Sequence, residues 1–272
     1  MKSQREFYGW YRVPINIVAG LVLAFLVLPT LVIAPLSFNE GKYFTYPIES
    51  FSLKWYSEVL FSERWTHAFR NSFIVAIVST LIATVIGTMA SLGILGLPIR
   101  LRNSLLLILL SPMVIPIIVF AVGFFYFTVL LGMVYTLTAL VWAHVVLAVP
   151  FVVIVVSASL ERFDTSLIRA AYSLGASPIT AFRRITLPLI APGVMTGAIF
   201  AFVTSWDEIV VALFVAGGPE NHTLPRRLWS GLREELSPAI IAAATVLSVL
   251  SIILMIIVER LRRSISTGES QK

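Results

Sequence analysis

The chain has 272 residues, of which 58% are hydrophobic and 12% are charged, and its mean hydropathy is +0.93. A soluble domain carries about 25% charged residues, so this composition excludes a soluble fold and predicts one membrane domain. The absence of cysteine excludes disulfides and thiolate chemistry. The net charge of +6 does not indicate a nucleic-acid partner, because Lys and Arg cluster at the ends of apolar runs, where they orient membrane helices.

The first predicted element is a membrane span over residues 14–36, preceded by a basic tail over residues 1–13. The apolar run is longer than the roughly 7 to 15 residues of a signal peptide and lacks a small-residue cleavage site, so we expect it to be retained. In the loop that follows, SLKWYSEVLF has the alternation of an interfacial helix. We expect Trp55, Tyr56 and Trp65 to lie at headgroup level.

Three further spans are predicted over residues 70–96, 105–131 and 135–158. A turn containing Arg100 and Arg102 separates the first two of these. The third span of the chain contains Pro112 and Pro116, whose missing N–H groups predict kinks. Small residues in the second span, from Gly87 to Gly93, are explained by close helix packing.

A polar segment, ERFDTSLIRAAYSLGASPITAFRRITLP, follows the fourth span over residues 161–188. An oxygen from residues 164–166 can cap a short amphipathic helix, and Gly175 supplies a left-handed stop. Ser177 and Pro178 are typical of the cap and first position of a second helix. We therefore expect a helix outside the bilayer that can dock in a groove of a partner.

The last two spans are predicted over residues 188–216 and 238–258. The chain is thus divided into a tail (1–13), a membrane domain (14–260) with the polar loop at 159–187, and a second tail (261–272). Six spans place both termini on one side, which holds 13 of the 20 Lys and Arg residues. The positive-inside rule makes the termini and the polar loop cytoplasmic.

Asp207 and Glu208 form an adjacent acidic pair inside the predicted fifth span. A carboxylate at this depth costs at least about 2.5 kcal/mol, so each needs a watery path, a partner or a substrate. On a helix the two side chains point about 100° apart, so both cannot lie on one narrow stripe. Two interpretations stay open: a passage for a cation such as a polyamine, or pairing with arginines of the next loop, namely Arg226, Arg227 or Arg233.

Other chemical signals are weak. His144 lies inside the fourth span, where an interhelical hydrogen bond explains it better than a proton relay. His67 and His222 fall in loops, so no metal site is predicted. Because the chain has no Gly-rich ATP loop, HExxH or GxSxG pattern, we expect no catalysis and an energy source on another chain.

The polar loop resembles the cytoplasmic EAA signature of ABC-importer permeases, in Ala170, Ala171, Gly175 and the Ile185 to Pro188 segment. Arg169 stands where the family usually carries Glu. The resemblance implies an all-α membrane fold with six transmembrane helices and a coupling helix between the fourth and fifth. The residues that it implies for ATPase coupling are Arg169, Ala170, Ala171, Leu174, Gly175, Ile185, Leu187 and Pro188.

Residues 205–244 are similar to the last two spans of permeases in the spermidine/putrescine importer group. The matching positions are Ser205, Asp207, Glu208, Gly218, Pro219, Leu224, Pro225, Ser237 and Pro238. The resemblance implies a permease that forms half of a polyamine pathway by alternating access, with Trp206, Asp207 and Glu208 along that pathway.

The resemblance also implies the partners and the location. These are a second permease, usually a different chain, two cytoplasmic ATPases that bind ATP and Mg, a periplasmic binding protein, and the lipid of a bacterial inner membrane. An importer of an amino-acid-like or other small organic solute is the alternative. A secondary transporter, an intramembrane enzyme and a partner-free channel belong to other classes, from which co-purification of an ATPase would separate an importer.

Overall fold

The computed structural model describes residues 12–41, 46–48, 50–234 and 237–269. These ranges are helical apart from their loops, and the only β-type pairing within them is an isolated bridge between Asn39 and Phe51. The chain divides into two compact units. The first comprises Met1–Ser62 with Gly231–Leu250, and the second comprises Glu63–Ser230 with Ser251–Lys272.

Twelve α-helices follow one another along the described residues. They are α1 (Arg12–Ile33), α2 (Lys54–Phe61), α3 (Glu63–Leu95), α4 (Ile99–Val114), α5 (Ile117–Leu130), α6 (Leu137–Glu161), α7 (Ser166–Ser173), α8 (Pro178–Ala181), α9 (Leu187–Trp206), α10 (Val210–Val215), α11 (Leu224–Glu234) and α12 (Pro238–Glu269). Short 3-10 turns occupy Ala34–Phe38 and Pro219–Asn221, and a π-helical turn, Phe182–Thr186, joins α8 to α9.

Five helical segments of the described chain are long and apolar enough to cross a membrane. They are Val13–Phe38, Glu63–Leu95, Leu137–Glu161, Pro178–Trp206 and Pro238–Ile256. Helices α4 and α5 form a sixth span when the pair is taken together, with a bend of 102° between them. The predicted six-span, all-α fold is therefore confirmed.

The α4–α5 bend lies inside the predicted third span, where kinks were expected. Ile115 is extended (φ −69°, ψ 131°), and Pro116 then starts the next helix. A proline disfavours the helical region for the residue before it, which accounts for the position of the break at Ile115. The bend is larger than a kink, so this span changes direction within the membrane domain.

The first unit holds α1, whose apolar window is entirely exposed, and the segment up to α2. Trp55 donates a hydrogen bond from Nε1 to the carbonyl oxygen of Asn39 (2.7 Å), and the Tyr56 and Ser37 hydroxyls lie 2.7 Å apart. The helix predicted for this segment is present as α2. The indole of Trp55 is buried, as is that of Trp65 in the second unit, and their placement at headgroup level stays a prediction.

In the second unit, α3 and α9 pack closely against α6, the most buried of the spans. A Cβ on Gly87 of α3 would lie 2.7 Å from Cβ of Val152 on α6, and a Cβ on Gly197 of α9 would lie 3.1 Å from Cα of Val152. Glycine is therefore required where the three helices meet. Around Gly93, by contrast, there is open space.

The predicted fifth span does not continue to residue 216. Helix α9 ends at Trp206, residues 207–209 are not helical, and α10 begins at Val210. The reason is local: the carboxylate of Glu208 accepts hydrogen bonds from the first free N–H groups of α10, which offers the backbone an alternative to a continuous helix. Asp207 and Glu208 thus lie at a helix break.

Candidate functional site

A side-chain hydrogen-bonded turn precedes α7 in the polar loop. The carboxylate of Asp164 accepts hydrogen bonds from the Ser166 hydroxyl (2.7 Å) and from the Ser166 backbone N–H (2.9 Å). These two bonds are the main reason why the pKa of Asp164 lies below its ordinary value, with a smaller contribution from Arg169. Asp164, one of the three capping residues predicted, thus binds the first N–H of α7, whereas the N-cap residue Thr165 forms no side-chain cap.

A left-handed glycine ends α7. Gly175 has φ +81°, and its N–H donates to the carbonyl of Tyr172 (3.0 Å) while the N–H of Ala176 donates to that of Ala171 (3.0 Å). This pair of bonds is a Schellman motif, which satisfies the last carbonyls of the helix. Ser177 then accepts a hydrogen bond from the Thr180 N–H (3.3 Å) and starts α8. The predicted stop and second cap are confirmed.

The loop presents apolar side chains on its surface. Leu174 is 89% exposed and Ile179 is 70% exposed, whereas Ala171 is buried. We call Leu167, Tyr172, Leu174 and Ile179, which are all exposed, the loop patch. Contiguous exposed apolar groups outside a membrane are typical of a contact surface for another protein.

The residues around this patch have separate environments. Arg169 and Ala170 are exposed, and Glu161 forms an ion pair with Arg102 near the start of α4. Ile185 lies in the π-helical turn, where the N–H of Leu187 donates to the carbonyl of Phe182. Leu187 and Pro188 open α9, so these loop residues continue directly into a membrane span.

The break between α9 and α10 holds Glu208 in a buried position. Its Oε1 accepts a hydrogen bond from the Val211 N–H (2.8 Å) and its Oε2 accepts one from the Ala212 N–H (3.1 Å). Nε2 of His144 lies 3.5 Å from Oε2. The carboxylate is therefore used to cap α10 and to face His144, and these contacts do not involve an arginine of the following loop.

His144 links this carboxylate to two other helices. Its Nδ1 lies 2.8 Å from Oγ of Ser205 on α9, which lies 2.9 Å from Oγ of Ser79 on α3. The interhelical hydrogen bond predicted for His144 is confirmed, but its position beside Glu208 was not foreseen. His144 and Glu208 are 64 positions apart in the chain. The sequence indicates only that each is a polar residue within an apolar span and therefore needs a partner.

Ser205, His144 and Glu208 have the residue types of a hydrolytic triad, but the arrangement does not suit catalysis. Ser205 is buried and shares a hydrogen bond with Ser79, and it does not line the cavity that holds Asp207. A nucleophile must reach its substrate. The network therefore holds α3, α6, α9 and α10 together.

Asp207 is exposed and lines a cavity of about 570 Å³. This cavity, which we call the break cavity, lies where the α4–α5 bend meets the α9–α10 break, and α6 supplies Leu147 and Phe151 to its wall. Non-helical backbone at membrane depth is tolerated where it lines a cavity or is buried in protein. The break cavity therefore combines a carboxylate with two interrupted spans.

Trp206 has a different environment. Its indole is buried, stacks on Phe202 with ring centroids 5.6 Å apart, and donates from Nε1 to Oγ of Ser251 (3.1 Å). It borders a smaller, more apolar cavity of about 320 Å³, whose wall also includes Asp207. Among the described residues, no group of three His, Asp or Glu side chains is placed to hold a metal ion.

Residues 83–267 match the family model described as binding-protein-dependent transport system inner membrane component. The chain is 32% identical over 249 residues to the spermidine/putrescine transport system permease protein PotC of Escherichia coli (strain K12), covering 92% of this chain and 94% of that protein. It is 32% identical over 244 residues to the putrescine transport system permease protein PotI of the same strain, covering 87% and 86%. A bacterial ABC transporter involved in the import of alginate shares the fold, with a TM-score of 0.70 at 18% identity and coverage of 97% and 98%.

Proposed function

The chain belongs to the family of binding-protein-dependent transport system inner membrane components, which are multi-pass transport proteins and not enzymes, and from this premise we propose that it is the permease subunit of an ATP-driven polyamine importer. The observation that carries the choice of substrate is the exposed carboxylate of Asp207 in the break cavity. An amine that hydrogen-bonds to a carboxylate recovers part of the desolvation cost that each group suffers. The named functions of the two permease relatives support the same class of substrate.

We propose different roles for the two acidic residues, Asp207 and Glu208. Asp207 contacts the cationic substrate, because it is exposed to the break cavity. Glu208 positions the wall of that cavity, because its oxygens are already bonded to the N–H groups of α10. Trp206 supports the break through its ring contacts and its bond to Ser251, and it borders the pathway from the side of the smaller cavity.

Helix α7 and the loop patch are proposed to dock in a cleft of a cytoplasmic ATPase. The residues involved are those of the loop and its exit, namely Arg169, Ala170, Ala171, Leu174, Gly175, Ile185, Leu187 and Pro188. Support comes from the rigid ends of α7 and from the exposure of Leu174. Arg169 is exposed. We infer that it pairs with an acidic group of the ATPase, so that the anchoring ion pair is kept with the two charges exchanged.

The assembly proposed around this chain contains a second permease, two ATPases that bind ATP and Mg, and a periplasmic binding protein. Both termini and the loop at 159–187 lie in the cytoplasm, and the membrane domain covers residues 14–260. Support for this orientation is the charge distribution, with 13 of the 20 Lys and Arg residues on the side of the termini. Import of an amino-acid-like or other small organic solute is the second candidate, since the walls of the break cavity are otherwise mainly apolar.

The test is substrate-stimulated ATP hydrolysis and uptake by the assembled complex in lipid, with its binding protein and with spermidine, putrescine or a neutral amino acid. We expect a polyamine to stimulate. Asp207→Asn should lower polyamine uptake about tenfold, because a charge-assisted hydrogen bond is lost. The matched control is Glu63→Gln, an exposed carboxylate at the start of α3.

Each result is decisive for one part of the proposal. Stimulation by the neutral amino acid alone would overturn the polyamine assignment. Equal uptake by wild type and Asp207→Asn would remove Asp207 from the pathway. Failure of any ATPase to co-purify with the chain would contradict the importer itself.

A further inference from the structure

A pocket at the end of α6 opposite α7 is left unexplained by the transport pathway. It has a volume of about 520 Å³, and we call it the Arg226 pocket. Its wall includes Phe125, Tyr135, Phe214, Gly217, Gly218 and Arg226. All of these residues belong to the second unit.

Arg226 brings a positive charge into this pocket without a counter-ion. Its Nε and Nη1 atoms are buried and have no hydrogen-bond partner among the described residues. The ion pairs among the described residues join other side chains, Arg102 to Glu161 and His144 to Glu208. The guanidinium is half-buried, and this partial burial without a paired anion lowers the pKa of Arg226.

Other hydrogen-bond donors line the same pocket. Within the described ranges, the backbone N–H groups of Gly217 and Gly218 have no acceptor. Tyr135 adds a phenol and is held in the left-handed region (φ 59°), where its carbonyl accepts a bond from Nδ2 of Asn221 (2.9 Å). A group of unpaired donors around a guanidinium suits an anion.

The segment that leads into α11, the helix that carries Arg226, is held in place by two residues of α3. Nδ2 of Asn71 donates to the carbonyls of Glu220 (2.6 Å) and His222 (3.1 Å), and the N–H of Leu224 donates to Oγ of Ser72 (2.7 Å). The pocket is therefore anchored to a membrane span. An anchored site loses little entropy when a ligand binds.

Two charged groups near Arg226 are not paired with it in the described structure. Arg227 lies over the ring of Trp65, 5.7 Å from its centroid, so its charge has an aromatic contact that Arg226 lacks. Glu220 packs against Gly218 at the edge of the pocket, yet no ion pair joins it to Arg226 in the described structure. Within the described residues, no carboxylate pairs with Arg226, and this half-buried residue lines the pocket.

We propose that the Arg226 pocket receives a carboxylate side chain of the substrate-binding protein and is a docking point for it. This proposal rests on the proposed function, because the partner is the protein that delivers the substrate. The pocket lies at the end of the bundle opposite the ATPase-facing loop, where that protein must arrive. A cationic substrate is repelled by Arg226, whereas the guanidinium fork matches a carboxylate.

The test is a titration of the assembled complex with polyamine-loaded binding protein in nanodiscs of phosphatidylcholine. The half-saturating concentration for ATPase stimulation should rise about 10- to 100-fold for Arg226→Gln and further for Arg226→Glu. Arg226→Lys should give an intermediate value, because it keeps the charge and loses the fork. The control is Arg64→Gln, an exposed arginine in the first turn of α3, which should match wild type.

A wild-type complex that the loaded binding protein does not stimulate would contradict the proposed function. A stimulated wild type with an unchanged Arg226→Gln curve would overturn the docking proposal alone. If Arg226→Gln fails to assemble with the ATPase, the salt dependence of the wild-type complex is the test. Its affinity for the loaded binding protein should fall as salt is raised from about 50 to about 300 mM, and an unchanged affinity would overturn the proposal.

A lipid phosphate is the competing anion. Adding phosphatidylglycerol to the nanodiscs should not change the effect of Arg226→Gln, and an effect that appears only with this lipid would overturn the proposal. Among Asp→Lys and Glu→Lys substitutions on the binding protein, at least one should restore a low half-saturating concentration for ATPase stimulation of the Arg226→Glu complex. Rescue by such a charge exchange would identify the carboxylate, and the absence of any rescue across all acidic surface positions would contradict it.

Discussion

Adjacent carboxylates in this chain have unlike environments. Glu208 is buried and accepts two backbone hydrogen bonds, whereas Asp207 is exposed to the break cavity. A carboxylate that caps a helix N-terminus is stabilised by the N–H groups and by the helix dipole. A substitution at Glu208 is therefore expected to disturb the backbone between α9 and α10. A substitution at Asp207 is expected to change the charge of the break cavity.

His222 gives a pH-dependent prediction at the residue scale. Burial, followed by the charges of Arg226 and Arg227, lowers the pKa of His222 from 6.5 to about 4. Between these values the unfolded chain binds more protons at this residue than the folded chain, so stability falls as the pH falls from about 6.5 to about 4. Thermal unfolding of the purified complex across this range should show that loss.

The His222→Gln variant should lack this component of the pH profile. The control is His67→Gln, an exposed histidine of α3, for which the wild-type profile is expected. Equal acid sensitivity in wild type and His222→Gln would contradict the assignment to His222.

At the scale of elements, glycines fix how closely α3, α6 and α9 approach one another. Gly87→Ala should destabilise the protein by about 1 to 3 kcal/mol, because the new methyl group would overlap Val152. Gly93→Ala is the matched control on the same helix, with open space around it, and should be neutral or slightly stabilising. Thermal unfolding in detergent measures both, and equal midpoints for the two variants would count against the packing argument.

The elements that sequence predicts best are those set by local properties. The spans follow from runs of apolar residues, and the limits of α7 and the start of α8 follow from Asp164, Gly175 and Ser177, because capping and turn chemistry act within a few residues. The break after Trp206 was missed because DEIVV has no helix-breaking residue. It arises from the position that the Glu208 carboxylate takes at the start of α10, beside His144 from a distant span.

At the scale of the whole molecule, the loop patch and the break cavity are connected by two continuous elements. Helix α6 lines the cavity through Leu147 and Phe151 and ends at Glu161, and α9 lines it through Val203 and Thr204 and begins after the π-helical turn. Close packing through Gly197 and Val152 joins the two helices. This connection supports the proposal that a displacement of α7 would reach both walls of the cavity during alternating access.

This connection predicts uncoupling when the end of α7 is altered. Gly175→Ala forces a side chain into the left-handed region, at a cost of about 1 to 2 kcal/mol, and should loosen the Schellman turn. We expect less polyamine transported for each ATP hydrolysed, measured in proteoliposomes. Gly96→Ala, in the turn between α3 and α4 with no contacts within 4 Å, is the control. An unchanged ratio of transport to hydrolysis in Gly175→Ala would show that the rigid turn is not needed.

The π-helical turn at Phe182–Thr186 has a consequence for the evolution of such chains. A π turn accommodates one residue more than an α turn while the helices on either side keep their directions. A relative with one residue fewer between positions 182 and 186 would close this stretch with ordinary α-helical bonds, and its loop would still enter the membrane span with the same orientation. Deletion of one residue within this turn is therefore expected to preserve the fold of the helices on either side of it.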